Sequence, residues 1–178
     1  GPLVRGNLYE NNDVNGMEIR GEVVNTQVVW DDTDIVHVLR NEVYVPNLHT
    51  FGGLRLESNP LESLIVKVDG ANSGFSASGD PLDMIDRIGG MLHIIGQPGR
   101  PVVITSIDDD SVGAGFGPDG FPLTDTESNG TTAPTAGSWA GISIEEYAHD
   151  RNVEVYLERE ISNALAPSTN ETLFPEVI

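Results

Sequence analysis

The chain has 178 residues with 28 Asp and Glu against 9 Lys and Arg, a formal charge of −19, and eight of its nine cations are arginines. Such an excess repels phosphate backbones and anionic bilayers, which argues against nucleic-acid partners and membrane insertion; no apolar run reaches the roughly 18 residues of a membrane span. The absence of cysteine excludes disulfides, zinc–thiolate sites, iron–sulfur clusters and cysteine nucleophiles, while 38% hydrophobic residues are too many for a disordered acidic tail.

Glycine and proline, 20 and 11 in number, are spread along the chain and punctuate it into short elements. Between them, short runs alternate apolar and polar residues, many of them β-branched, as strands do. In chain order these are Leu3–Arg5, Met17–Arg20, Glu22–Val24, Ile35–Leu39, Val43–Val45, Gly53–Leu56, Leu64–Val68, Phe75–Ala77, Met91–Ile95, Val102–Thr105, Gly141–Ile144 and Val153–Leu157. Weakly marked helical turns fall at Pro81–Asp86 and Glu158–Ala164. The fold class expected is all-β.

Hairpins would need two-residue Asn-Gly or Asp-Gly loops between strands. Asp119-Gly120 and Asn129-Gly130 lie in a polar stretch with no strand on either side, and only weak alternation follows Asp69-Gly70. Stacked rungs fit better. In the opening segment Val4, Asn7, Tyr9, Asn11, Gly16, Met17 and Ile19 take, within a residue or so, the places of a rung: short strand, amide corner, second strand, turn. Gly89-Gly-Met-Leu-His-Ile-Ile-Gly96, Pro101-Val-Val-Ile-Thr-Ser106 and Gly137-Ser-Trp-Ala-Gly-Ile-Ser-Ile144 repeat the theme. On these motifs, over roughly residues 1–157, the chain resembles the parallel β-helix (pectin-lyase-like β-solenoid) modules of very large bacterial cell-surface and extracellular proteins, with Ser138 where the family's rung usually has Asp. The resemblance implies a right-handed parallel β-helix over residues 1–160, a secreted or surface location, and a C-terminal tail, 161–178, that caps the last rung or docks on another subunit. A β-sandwich is the competing architecture.

If residue 3 already lies inside a rung, the first coil is open-ended and exposes unpaired backbone and an apolar cross-section. Either the chain is cut from a longer solenoid, or its ends stack on other copies as a head-to-tail homopolymer. Leu3 and Met17 at one end, and Leu173, Phe174, Val177 and Ile178 in the tail, are the candidate docking residues.

The chemistry-bearing residues are mostly acidic. Asp125-Thr-Glu127-Ser-Asn129-Gly130 resembles the first half of a calcium loop, with oxygens at alternate positions and glycine at the sixth. Its twelfth position is Ala136 where a bidentate Glu belongs, so an EF-hand is excluded. Calcium held by Asp125, Glu127 and Asn129, with Asp108 and Asp110 helping, is the one cofactor expected; a solvated acidic loop is the plainer alternative. Asp31, Asp32 and Asp34 form another cluster, read as surface. Lys67, the only lysine, alternates within its strand and reads as an outward surface residue.

Polysaccharide cleavage is the enzymatic reading that the resemblance raises. The Gly-His-Gly and Arg-Ile-Lys patterns of pectin-type hydrolases are absent, no cationic base stands ready for a lyase, and the charge repels anionic polysaccharides; a non-enzyme is expected. His37 and His93 sit in strands as satisfied or outward-facing imidazoles, and His149 reads as a surface corner. Gly113-Ala-Gly-Phe-Gly117 lacks the following helix of a phosphate loop. Trp30, Trp139, Tyr44 and Tyr147 are core or corner residues before they are a sugar-stacking surface. The expected function is structural, a self-assembling filament, fibre or surface-layer subunit, with a carbohydrate-binding or adhesive module of a larger surface protein as the alternative and cell-surface glycan as its partner.

Overall fold

A computed structural model describes residues 3–10, 12–47, 53–79, 87–149 and 151–152. Among them there is no helix, and the strands are β1 (Met17–Ile19), β2 (Gln27–Trp30), β3 (His37–Leu39), β4 (Glu42–Val45), β5 (Gly53–Glu57), β6 (Leu64–Val68), β7 (Gly70–Ala77), β8 (Arg87–Ile88), β9 (Met91–Ile95), β10 (Val102–Ser106), β11 (Trp139–Ile144) and β12 (Arg151–Asn152). The protein is all-β. Three sheets are wholly parallel: sheet 1 runs β1-β3-β6-β10, sheet 2 runs β4-β7-β11, and sheet 3 runs β2-β5-β9. Among the described strands, only the short β8–β12 pair is antiparallel.

The chain visits these sheets in a fixed order. It passes from β3 to β4 to β5, then from β6 to β7 to β9, then from β10 to β11. An earlier passage runs from β1, past Val23 bridged to Tyr44 of β4, to β2. We call each passage a circuit. Among the described strands no pair adjacent in sequence is a hairpin, so the Asn-Gly and Asp-Gly signals there do not join strands.

Register lines up like residues from circuit to circuit. Val28, Leu54 and Leu92 oppose one another in sheet 3; Val43, Phe75 and Ile142 do so in sheet 2. In sheet 1 the columns Met17–His37–Val66 and Ile19–Leu39–Val68 share one face. A core of Trp30, Leu39, Val43, Val45, Leu54, Leu56, Leu64, Val66, Val68, Phe75, Ala77 and Leu92 draws on all three sheets, so these columns face a common interior. Period-2 alternation keeps them there, since a one-residue slip would turn every such side chain outward.

Sheet 1 is covered on its other face as well. There Val36, Val38, Ile65, Ile107 and Ala114 form a second core with Val14, Val103 and Val112. The cover is the long excursion 107–138 between β10 and β11. It is fastened by Asn15 N donating to Thr126 O at 2.7 Å and by Asn15 Nδ2 donating to Ser128 Oγ at 2.9 Å. It also crosses itself tightly: a Cβ on Gly113 would collide with the Leu123 carbonyl.

Six expectations change. Glu22–Val24 carries only the isolated bridge of Val23 to Tyr44 rather than a strand, and Asp32, read as surface, is buried at 3% exposure. Residues 3–10 form no strand: Leu3 and Leu8 are exposed, and Asn7 is an exposed residue rather than a buried corner amide, so regular pairing begins at β1. The segment is instead held from the side, Val4 N and Gly6 N donating to Asp32 Oδ1 (3.1 Å) and Asp34 Oδ2 (2.7 Å). The Gln27–Trp30 strand is an addition. Lys67 does point outward, but the excursion seals it completely. His37 points inward and is neither satisfied nor outward-facing. The turns expected at 81–86 and 158–164, the strand at 153–157 and the tail 161–178 lie outside the described residues.

Candidate functional site

Two features have the geometry to act: a sealed charged niche under the excursion and, among the described residues, an exposed apolar end on the last circuit. The niche begins with β6. Leu64, Ile65, Val66, Lys67 and Val68 are all buried, so this strand has an apolar environment on both faces. Lys67 lies opposite Val38 of β3 and Thr105 of β10. Its Nζ donates to Thr124 O at 2.7 Å and stands 3.8 Å from Asp110 Oδ1. The side-chain exposures are 0% for Lys67 and 7% for Asp110. Asp110 Oδ2 accepts from Thr132 N at 2.7 Å and lies 3.0 Å from the Thr132 hydroxyl, which is also 2.9 Å from Asp108 O.

Electrostatics in the niche are mixed. Burial pushes the Lys67 ammonium below its ordinary range, while Asp110, Asp109, Asp125 and Glu127 pull it back up. Burial, with Asp108 and Asp69 adding, pushes Glu127 above the usual carboxylate range against Arg40 and Asn129. Asp109 is held low, first by the Ser111 hydroxyl and then, against burial, by Thr105; those hydroxyls donate at 2.5 and 2.7 Å.

The five candidate calcium ligands separate into two groups. Asp108 and Asp110 line the niche. Asp125, Glu127 and Asn129 lie on the adjoining loop, where Asp125 accepts Asn129 N (3.3 Å) and Gly130 N (2.9 Å) and Glu127 accepts Asn129 Nδ2 (3.0 Å). Lone pairs remain on each carboxylate, so the loop retains oxygens that a calcium ion would need. Among the described residues no group of three or more His, Asp or Glu side chains converges tightly enough to hold a metal.

The open end is the last circuit. Ile142 and Ile144 continue the columns Val43–Phe75 and Val45–Ala77, and Ile94 continues Trp30–Leu56. Their predecessors are buried, with Val45, Leu56 and Ala77 at 0% exposure, whereas Ile94 is 42%, Ile142 40% and Ile144 58% exposed. At the opposite end Met17, Ile19 and Val28 face the interior and are half-buried. Of the docking candidates, Leu3 is exposed at 80%, Met17 belongs to this first-circuit face, and Leu173, Phe174, Val177 and Ile178 lie outside the described residues.

Trp30 is a core residue, stacked on His37 with ring centroids 5.5 Å apart; Trp139 is half-buried against the same core. Tyr44 Oη pairs with Ser78 Oγ at 2.7 Å. His149 is an exposed corner whose Nε2 accepts Leu92 N at 3.1 Å, and burial and then His93 push it below its ordinary value. Gly113 to Phe116 line a groove of about 470 Å³ together with Leu61, Glu62, Ile65, Arg100 and Val103.

Sequence reasoning missed Lys67 and the three isoleucines. The run Leu-Ile-Val-Lys-Val does not alternate, and that is a readable sign of burial on both faces. The isoleucines carry no local sign, because their exposure depends on which strand comes last. Comparison with protein-family models, curated proteins and solved structures finds no match.

Proposed function

We propose that the chain is a right-handed parallel β-solenoid with a structural, non-catalytic role, an extracellular or cell-surface unit that stacks end to end on copies of itself. The repeated sheet order and like-on-like columns support the architecture; right-handed crossovers between parallel strands are the strong general preference. The observation that carries the function is that, among the described residues, interior columns closed in the middle circuits pass to exposed Ile94, Ile142 and Ile144.

Strand polarity selects the stacking mode. Every edge at the last circuit (β9, β10 and β11) and at the first (β1 and β2) belongs to a parallel sheet. Head-to-tail contact continues those sheets in parallel, repeats without closure and makes a filament. With four strands in sheet 1 and about 4.8 Å between strands, the rise is about 19 Å per subunit. The high negative charge on the sides keeps neighbouring filaments apart.

Electron microscopy of the untagged protein with calcium at near-physiological salt tests this reading. Filaments with that rise are expected, and Ile142→Asp with Ile144→Asp should abolish them, because each places a charge in a closing apolar column. Dispersed single particles at high concentration would refute stacking. The groove beside Arg100 and Phe116 favours a second reading, an adhesive module for cell-surface glycan, tested on a glycan array with Arg100→Ala as control.

A further inference from the structure

A lysine with no exposed surface, facing a carboxylate with almost none, is a costly arrangement for an ion pair. The separation of 3.8 Å is longer than a charge-assisted hydrogen bond, and the strongest contact of Lys67 Nζ is to a neutral carbonyl, Thr124 O at 2.7 Å. Two buried charges so placed keep much of their desolvation cost. Both groups are nevertheless fixed: Lys67 by its place in the middle of β6, between Val38 and Thr105, and Asp110 by the Thr132 donors on Oδ2.

We propose that Lys67 and Asp110 condense into an intramolecular amide, a covalent cross-link between β6 and the excursion. One Nζ proton passes to Asp110 Oδ1, the neutral amine attacks the carboxyl carbon, the Nζ–Cγ bond forms, and the Cγ–Oδ1 bond breaks as a second Nζ proton joins the departing oxygen. The balance is complete within the pair: ammonium plus carboxylate gives one amide and one water. Of the three Nζ protons, one stays as the amide N–H and two leave with Oδ1. No oxidant, reductant or activated co-reactant is involved, and the net charge does not change.

The surroundings suit that step. Negative charge that develops on Oδ2 during attack falls on the main-chain N–H of Thr132 and within reach of its hydroxyl, the kind of preset donor pair that stabilises a tetrahedral intermediate. The product N–H retains the Thr124 carbonyl as its acceptor. Fixed reactants in a sealed site replace the encounter that makes amide formation slow in water.

The inference stands apart from end-to-end stacking, because it is read on the isolated chain. The test is the intact mass of the purified full-length protein after prolonged incubation at neutral pH, followed by protease digestion. The expected mass is one water below that of the sequence, with a branched peptide joining the segments around residues 67 and 110. Lys67→Arg and Asp110→Ala should each restore the full mass, as should wild-type chain kept unfolded in denaturant. A full wild-type mass would overturn the proposal. So would a dehydration that persists in Lys67→Arg, which would mark a succinimide at an Asp-Gly step, Asp69-Gly70 or Asp119-Gly120, instead.

Discussion

Acidification should unload the interior at His37. Its imidazole has 0% exposure, neither ring nitrogen has a hydrogen-bond partner, and it stacks on Trp30. Burial lowers its pKa from 6.5 to about 4, against the opposing pull of Asp32, the Ile35 main chain and Asp31. The folded pKa is the depressed one, so the unfolded chain binds more protons between about pH 6.5 and 4. Stability is therefore complete above that window and falls as the pH drops through it. At about 1.4 kcal/mol per pH unit, the loss attributable to this ring is about 3 kcal/mol. That is a large share of the roughly 5–15 kcal/mol that holds a domain together. The assay is urea unfolding followed by tryptophan fluorescence, in wild type and His37→Leu, at several pH values. Groups remote from His37 are common to both proteins, so their difference isolates His37 together with its coupling to Asp32 and Asp31. Wild type should lose about 3 kcal/mol more than the variant across the window; parallel curves would refute a buried, neutral imidazole.

Other outcomes are as specific. Gly113→Ala should destabilise the protein by about 1–3 kcal/mol, since the new methyl meets the Leu123 backbone rather than a movable side chain; an unchanged urea midpoint would show that the excursion does not cross itself there. Asn15→Ala removes the amide bond to Ser128 and should cost about 1–2 kcal/mol, with faster limited proteolysis within 107–138 as the direct readout. Millimolar calcium should raise the melting temperature by relieving the like charges around Glu127. Glu127→Gln should remove that rise, and a melting temperature indifferent to chelator would refute calcium at Asp125, Glu127 and Asn129.

Much of the strand content was legible because the physical cause is local. Leu64–Val68 and Met91–Ile95 announce themselves by β-branched composition and by the glycines and prolines around them. Gln27–Trp30 escaped notice because Gln-Val-Val-Trp shows no alternation and runs straight into Asp31 and Asp32. The opening failed for the opposite reason: its asparagines and alternation look like a rung, yet Asp32 and Asp34 capture its backbone N–H groups before any strand can. Pairing partners are another matter. Val38 meets Lys67, and Asn15 meets Ser128, by closures across dozens of residues that leave no trace in either segment. The candidate site is legible only as an inventory of carboxylates; the cation at its centre reads as surface because the sequence does not say that a loop forty residues later lies over it.

The excursion 107–138 also bears on how the molecule comes apart. An array in which each circuit touches only its neighbours has additive, nearest-neighbour stability and can fray from its ends. Here a segment that leaves the last circuit is hydrogen-bonded to Asn15, ahead of the first strand, and to Lys67 in the third circuit. The strap couples circuits that never touch through the sheets. Loosening either end then breaks contacts along the full length of sheet 1, so unfolding is cooperative over the whole stack, with one sharp transition where a free array of circuits would melt in stages.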